Sequence, residues 1–99
     1  MRLGDNCMNA KDIQKIIDKY GRKAQFMIAM EECAELIQAI SKCVRTENFP
    51  AVEEREHLIE EMADVMFCME QLQVMCSITD EELYAMKQAK EKRTLEGIK

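Results

Sequence analysis

Apolar residues recur along this chain at helical intervals, and turn signals cut the pattern into four segments. Ile13, Ile16, Ile17 and Tyr20 fall at i, i+3, i+4 and i+7, the buried stripe of a helix running from about Asn9 to Tyr20. Gly21 ends it, as glycine does after a helix C-terminus. A second helix is predicted from about Arg22 to Arg45. It is apolar over much of its circumference (Phe26, Met27, Met30, Cys33, Ala34, Leu36, Ile37, Ile40 and Val44), which predicts packing against more than one neighbour. Thr46 to Pro50 is the clearest loop, and Pro50 suits a helix start.

A third helix is predicted from about Val52 to Met75, with Leu58, Ile59, Met62, Val65, Met66, Met69 and Leu72 on its inner side. Cys76-Ser77-Ile78 is a short break. Thr79-Asp80-Glu81-Glu82 then spells a capping box, in which the Thr79 hydroxyl and the Glu82 carboxylate each satisfy a free amide at a helix start. Ile78 and Leu83 stand at the two positions of a hydrophobic staple. The fourth helix continues through Tyr84, Met86 and Ala89 and frays near Gly97. No segment has the period-two alternation of a strand. The expected fold is all-α, four-helix bundle-like, with one domain over residues 1–99.

Composition sharpens this picture. With 99 residues, a helical domain often completes a modest core by self-association. Only 3 Gly and 1 Pro leave little for a loop-rich or many-turned β fold. The net charge of −5 speaks against a nucleic-acid polymer as ligand, because such binding needs a basic face, but not against a free nucleotide. No run approaches the roughly 20 apolar residues of a membrane span, and Met1 to Ala10 carries no signal-peptide-like apolar stretch. The odd number of cysteines (7, 33, 43, 68 and 76), without a C-x-x-C pair, reads as reduced core thiols in a cytoplasmic protein.

The middle helices hold the candidate chemistry. One reads Glu31-Glu32-Cys33-Ala34-Glu35-Leu36, the other Glu60-Glu61-Met62-Ala63-Asp64-Val65. Each contains acids at i and i+3, which project from one helix face. Rotation by about 100° per residue places Gln25, Ile28, Glu32, Glu35, Ala39 and Lys42 on one stripe. His57, Glu61, Asp64, Cys68 and Gln71 form a matching stripe on the next helix. The acids lie in the most apolar parts of their helices. If the helices pair antiparallel, Glu32, Glu35, Glu61 and Asp64 converge at their seam. Unneutralised, such a cluster repels itself and is costly to desolvate. A divalent cation resolves the conflict, and an all-oxygen donor set suits Mg²⁺ or Mn²⁺.

Glu32-x-x-Glu35 followed by Glu61-x-x-Asp64 resembles the E-x-x-E…E-x-x-D signature of the all-α NTP pyrophosphohydrolases, a superfamily that includes MazG-like proteins, dimeric dUTPases and dCTP pyrophosphatases. Tyr20-Gly21, Gln25 and the stretch Glu31 to Leu36 resemble the lead-in of short MazG-like proteins, and the likeness extends over about residues 13 to 93. The resemblance implies a tight helical homodimer or homotetramer whose four acids bind Mg²⁺. It implies an enzyme that hydrolyses a nucleoside triphosphate between the α- and β-phosphates, for nucleotide-pool housecleaning. Glu31 is then the candidate catalytic acid, in the outer shell or as the base that orients the water.

Gln25, Lys42 and the i, i+3, i+6 row Lys87, Lys90 and Arg93 are the candidate substrate contacts, since relatives often place phosphate-contacting basic residues on the last helix. His57 reads as a pocket-edge or structural residue. Glu54 and His57 spell one E-x-x-H, where bundle di-iron proteins need two. The dCTP pyrophosphatases stack their base on tryptophan, and this chain has none. The competing reading is a non-enzymatic helical oligomerisation module, with the acids as interhelical salt-bridge partners.

Overall fold

The computed structural model describes residues 8–45 and 51–98. Four helices follow one another as α1 (Ala10–Tyr20), α2 (Arg22–Val44), α3 (Val52–Cys76) and α4 (Asp80–Glu96). No strand occurs among the described residues, as expected. The Thr46 to Pro50 loop, with Pro50 at a helix start and Phe49, falls outside the described residues, as does Cys7.

Local chemistry sets each boundary. Asn9 caps α1, its side-chain oxygen accepting from the Asp12 amide at 3.0 Å. Gly21 serves both as C-cap of α1 and N-cap of α2, at φ 94° and ψ 149°, a region that a Cβ disfavours. α3 ends in a Schellman arrangement. The Ile78 amide donates to the Gln73 carbonyl at 2.9 Å, and Ser77 takes the left-handed conformation (φ 54°) that glycine usually fills. The capping box of α4 is present in both directions: the Glu82 amide donates to the Thr79 hydroxyl at 3.1 Å, and the Thr79 amide to the Glu82 carboxylate at 3.0 Å.

α2 and α3 run antiparallel as the principal pair. Gln25 meets Gln71 near one end, and the Cys43 thiol reaches the Glu54 carbonyl near the other. α1 lies against both helices near the first of these ends. There Ile13, Ile17 and Met75 form a buried cluster joined by Phe26, Leu72 and Val74. Arg22 ties the same corner together: its Nη1 donates to the Met75 carbonyl at 2.6 Å, and its guanidinium stacks over the Phe26 ring.

The structure corrects part of the inner side expected for α3. The faces buried between α2 and α3 are the mixed stripes bearing Gln25, Ala29 and Ala39 on α2 and Glu61, Cys68 and Gln71 on α3. The strongly apolar faces point outward. On α2, Met30, Ile37, Ile40 and Val44 are exposed, together with Cys33, and on α3 Ile59, Met62 and Met66. The order 30, 33, 37, 40, 44 on α2 and 59, 62, 66 on α3 is the alternating three- and four-residue spacing of a coiled-coil seam. One chain does not cover these seams, and that is why Ile59, Met62 and Met66, expected on the inner side of α3, are exposed, whereas Leu58, Val65, Met69 and Leu72 of the same expected side are half-buried. Of the described cysteines, only Cys68 is buried; Cys33 and Cys76 are exposed and Cys43 is half-buried, so the expectation of core thiols holds for one.

α4 does not close a four-helix bundle within one chain. None of its Cα atoms comes within 8 Å of another helix, and it contains no buried residue. The radius of gyration is 15.9 Å, against roughly 13 Å for a compact chain of this length. The bundle-like part of a single chain is therefore α1–α3.

Candidate functional site

The acid pairs sit midway along the α2–α3 seam. Helical periodicity puts Glu32 and Glu35 one turn apart on α2, and Glu61 and Asp64 one turn apart on α3. The antiparallel pairing brings the two sets together. Glu32, Glu61 and Asp64 each offer a carboxylate oxygen, and these oxygens lie within 4.8 Å of one another. Glu35 is exposed, yet its charge acts on both Glu32 and Glu61.

The electrostatics of this cluster are unfavourable without a cation. Burial, followed by the charges of Glu35, Asp64 and Glu61, pushes the Glu32 carboxyl up to about 7. Glu61, only 6 % exposed, is raised for the same reasons, with burial first and then Glu35 and Asp64. His57, half-buried one turn earlier, opposes this shift of Glu61, its Nε2 lying 3.4 Å from Glu61 Oε1. No Lys or Arg among the described residues pairs with Glu32, Glu61 or Asp64. One oxygen each of Glu32 and Glu61 is sealed from water without a hydrogen-bond partner. Buried oxygens left unsatisfied are costly. Oxygens around Mg²⁺ stand at most about 4.2 Å apart, so the three carboxylates would draw together slightly to hold such an ion. The residues fit it in charge and donor type.

Beside the acids opens a cavity of about 470 Å³ lined by Ile16, Tyr20, Gln25, Ile28, Glu32, Asp64, Phe67, Cys68 and Gln71. It gathers parts of both predicted stripes and adds α1. The Cys68 thiol is pushed up by burial and then by Glu32, which leaves it a neutral wall group. At the cavity's far end Gln25 Nε2 donates to Gln71 Oε1.

The other candidates lie apart from this cavity. Glu31 and Lys42 are exposed on α2. Lys87 pairs with Glu91 at 2.7 Å and stands over the Tyr84 ring. Lys87 and Lys90 line a separate groove of about 1070 Å³ between α4 and the α3 residues Met66 and Met69. Arg93 is exposed in the last turn of α4. Within a single chain, then, the structure joins Gln25 to the acid site and leaves Lys42 and the α4 row outside its cavity.

Sequence reasoning did not foresee the Gln25–Gln71 bond or the Arg22–Met75 tie. A signal for the first exists. Gln25 precedes Glu32 by seven residues and Gln71 follows Asp64 by seven, so both glutamines sit two turns from the acids on the same stripes.

Neither curated proteins nor solved structures yield a match to this chain. Residues 21–92 of the 99 match the family model of the MazG nucleotide pyrophosphohydrolase domain, a span that holds both acid pairs and all of α2 and α3. The four helices and the carboxylate seam thus belong to a member of the MazG nucleotide pyrophosphohydrolase family.

Proposed function

We propose that this protein is a Mg²⁺-dependent pyrophosphohydrolase of (d)NTPs, yielding the (d)NMP and pyrophosphate, with residues 1–99 acting as one catalytic domain. The observation that carries the reading is the convergence of Glu32, Glu61 and Asp64, with buried unpartnered oxygens on two of them, inside the span matched by the family.

In this reading Glu32, Glu35, Glu61 and Asp64 hold the metal, with Mn²⁺ as a substitute. When bound, the ion polarises the phosphate, offsets the charge developing in the transition state and activates water. Glu31, adjacent to Glu32 in the chain but outside the cavity of a single copy, meets the water in the assembled site, orients it and takes its proton as the oxygen attacks the α-phosphorus. The bond from that phosphorus to the bridging oxygen breaks, and pyrophosphate leaves. His57 holds Glu61 in place from one turn away.

Lys42, Lys87, Lys90 and Arg93 contact the phosphates. The α4 row stands off the α1–α3 body, so it meets a site assembled with another copy of the chain, in a homodimer or homotetramer. The uncovered apolar seams on α2 and α3 support such an assembly.

The seams also suit an oligomerisation module without activity. That alternative needs interhelical salt bridges at the acids, and none to Lys or Arg is present there among the described residues. The test is a panel of ordinary and damaged (d)NTPs incubated with Mg²⁺, with both phosphate products followed. Pyrophosphate and monophosphate in equal amounts are expected. Orthophosphate alone, or no hydrolysis of any member, contradicts the proposal.

A further inference from the structure

We infer that the Gln25–Gln71 amide pair reads the pairing edge of the substrate's nucleobase: Gln25 Oε1 accepts an N–H of the base, and the Gln71 side-chain amide donates to the neighbouring base acceptor. The inference rests on the pyrophosphohydrolase reading for where the phosphates lie.

Position is the first support. Gln25 and Gln71 line the same cavity as Glu32 and Asp64. Each is seven residues from its acid, which is about 10 Å along the helix axis. That is comparable to the reach from an α-phosphate to the hydrogen-bonding edge of its own base. A nucleotide with its α-phosphate at the acids therefore brings that edge to the glutamines.

The second support is the unfinished hydrogen bonding. Gln25 is 6 % exposed and Gln71 3 %. Gln25 Nε2 donates to Gln71 Oε1, yet Gln25 Oε1 is buried without a partner. An amide pair serving only to bolt α2 to α3 gains nothing from an orphaned acceptor at a cavity wall, since buried polar groups are nearly always satisfied. A base completes the set. Its edge places an N–H beside an acceptor, the complement of an amide oxygen beside an amide N–H. The terminal amide torsion is broad, so a small swing of Gln25 presents Oε1 to the cavity at little cost.

The third support is the wall chemistry. Ile16, Tyr20, Ile28 and Phe67 give the cavity apolar and aromatic sides, suited to the faces of a planar ring.

The test measures Mg²⁺-supported binding of the deoxynucleoside monophosphates, of 3-methylthymidine monophosphate and of deoxyribose 5-phosphate, to wild type, Gln25→Met and Gln71→Met. Turnover of the corresponding nucleoside triphosphates is followed in parallel. Wild type should prefer at least one nucleotide over the sugar phosphate by tenfold or more. Gln25→Met and Gln71→Met should weaken that nucleotide by about 10- to 100-fold and leave the sugar phosphate unchanged. If thymidine monophosphate is the preferred ligand, its 3-methyl form should bind no better than the sugar phosphate.

Should either variant fail to fold, Gln25→Asn and Gln71→Asn keep the amide but withdraw it by a methylene, and the same selective loss is expected. Equal weakening of nucleotide and sugar phosphate, unchanged selectivity, or a wild type without base preference each overturns the inference. Base-selective binding lost in the variants, without any triphosphate cleavage, upholds the base site and defeats the pyrophosphohydrolase reading. Cleavage with variant selectivity unaltered does the reverse.

Discussion

Glu32 on α2 and Asp64 on α3 face one another across the helix seam, with carboxylate oxygens within 4.8 Å. Together with Glu35 and Glu61, and with burial as the largest cause, this holds the Glu32 carboxyl near 7 rather than 4.5. In the metal-free protein between those values, the folded state keeps a proton that the unfolded chain has released. The stability contributed by this group is full below about 4.5 and is lost as pH rises through about 7. Glu61 shifts in the same direction. Metal binding requires the deprotonated acids, so its own contribution grows over the same window. The Tm of the chelator-treated protein should fall from about pH 5 to pH 8, and the rise in Tm on adding Mg²⁺ should be larger at pH 8. A Mg²⁺ effect that is larger at pH 5 contradicts the assignment.

Ser77 occupies a left-handed position at φ 54° at the end of α3. Glycine takes this conformation without the Cβ clash that a serine bears. Ser77→Gly should therefore stabilise the protein by roughly 0.5–1 kcal/mol, read as a higher denaturation midpoint at an unchanged m-value. Gly21, at φ 94°, is the converse case, and Gly21→Ala should destabilise by about 1 kcal/mol or more.

Ala39 is 1 % exposed, the least exposed of the buried residues, on the α2 face turned toward α3. Its small side chain lets the helices approach beside the acid cluster. Ala39→Leu inserts three carbons where no space is available and should cost about 1–3 kcal/mol. Because it also spreads the seam, Mg²⁺ affinity should fall with stability, as followed by calorimetry on the folded variant. Unchanged stability would show that the helices do not close on this residue.

What was legible in the sequence follows from the range of the interactions. Asn9, Gly21, Thr79 and Glu82 act within one helical turn, so three helix boundaries could be placed from local residues. The acid site was legible because two local periodicities predict one seam. The place of the apolar stripes was not: Ile37 and Ile59 are apolar, and periodicity alone does not say whether such a stripe packs within the chain or against another copy. The Gln25–Gln71 bond joins residues 46 positions apart and depends on register, which no local pattern fixes. The splayed course of α4 was hidden for a similar reason, since a well-capped helix says nothing about what it packs against.

The exposed seams on α2 and α3 predict that the protein is a dimer or tetramer at micromolar concentration. Ile37, 68 % exposed at the centre of the α2 seam, is the residue to change. Ile37→Glu places a charge where the partner's apolar face must dock, and sedimentation should show dissociation while α1–α3 retain their helicity. A wild type that sediments as a monomer contradicts this account of the seams.

The central claim is that the carboxylate cluster holds the metal that hydrolysis requires. Its most direct test is Mg²⁺-dependent pyrophosphate release from a cleaved (d)NTP by wild type and Glu61→Gln, with folding of both checked by circular dichroism. The substitution keeps size and removes the charge of a ligand that is 6 % exposed. The expected result is a folded Glu61→Gln protein whose release falls by more than the roughly 10- to 100-fold that loss of an outer-shell partner costs. A folded Glu61→Gln protein that releases pyrophosphate at the wild-type rate would contradict it.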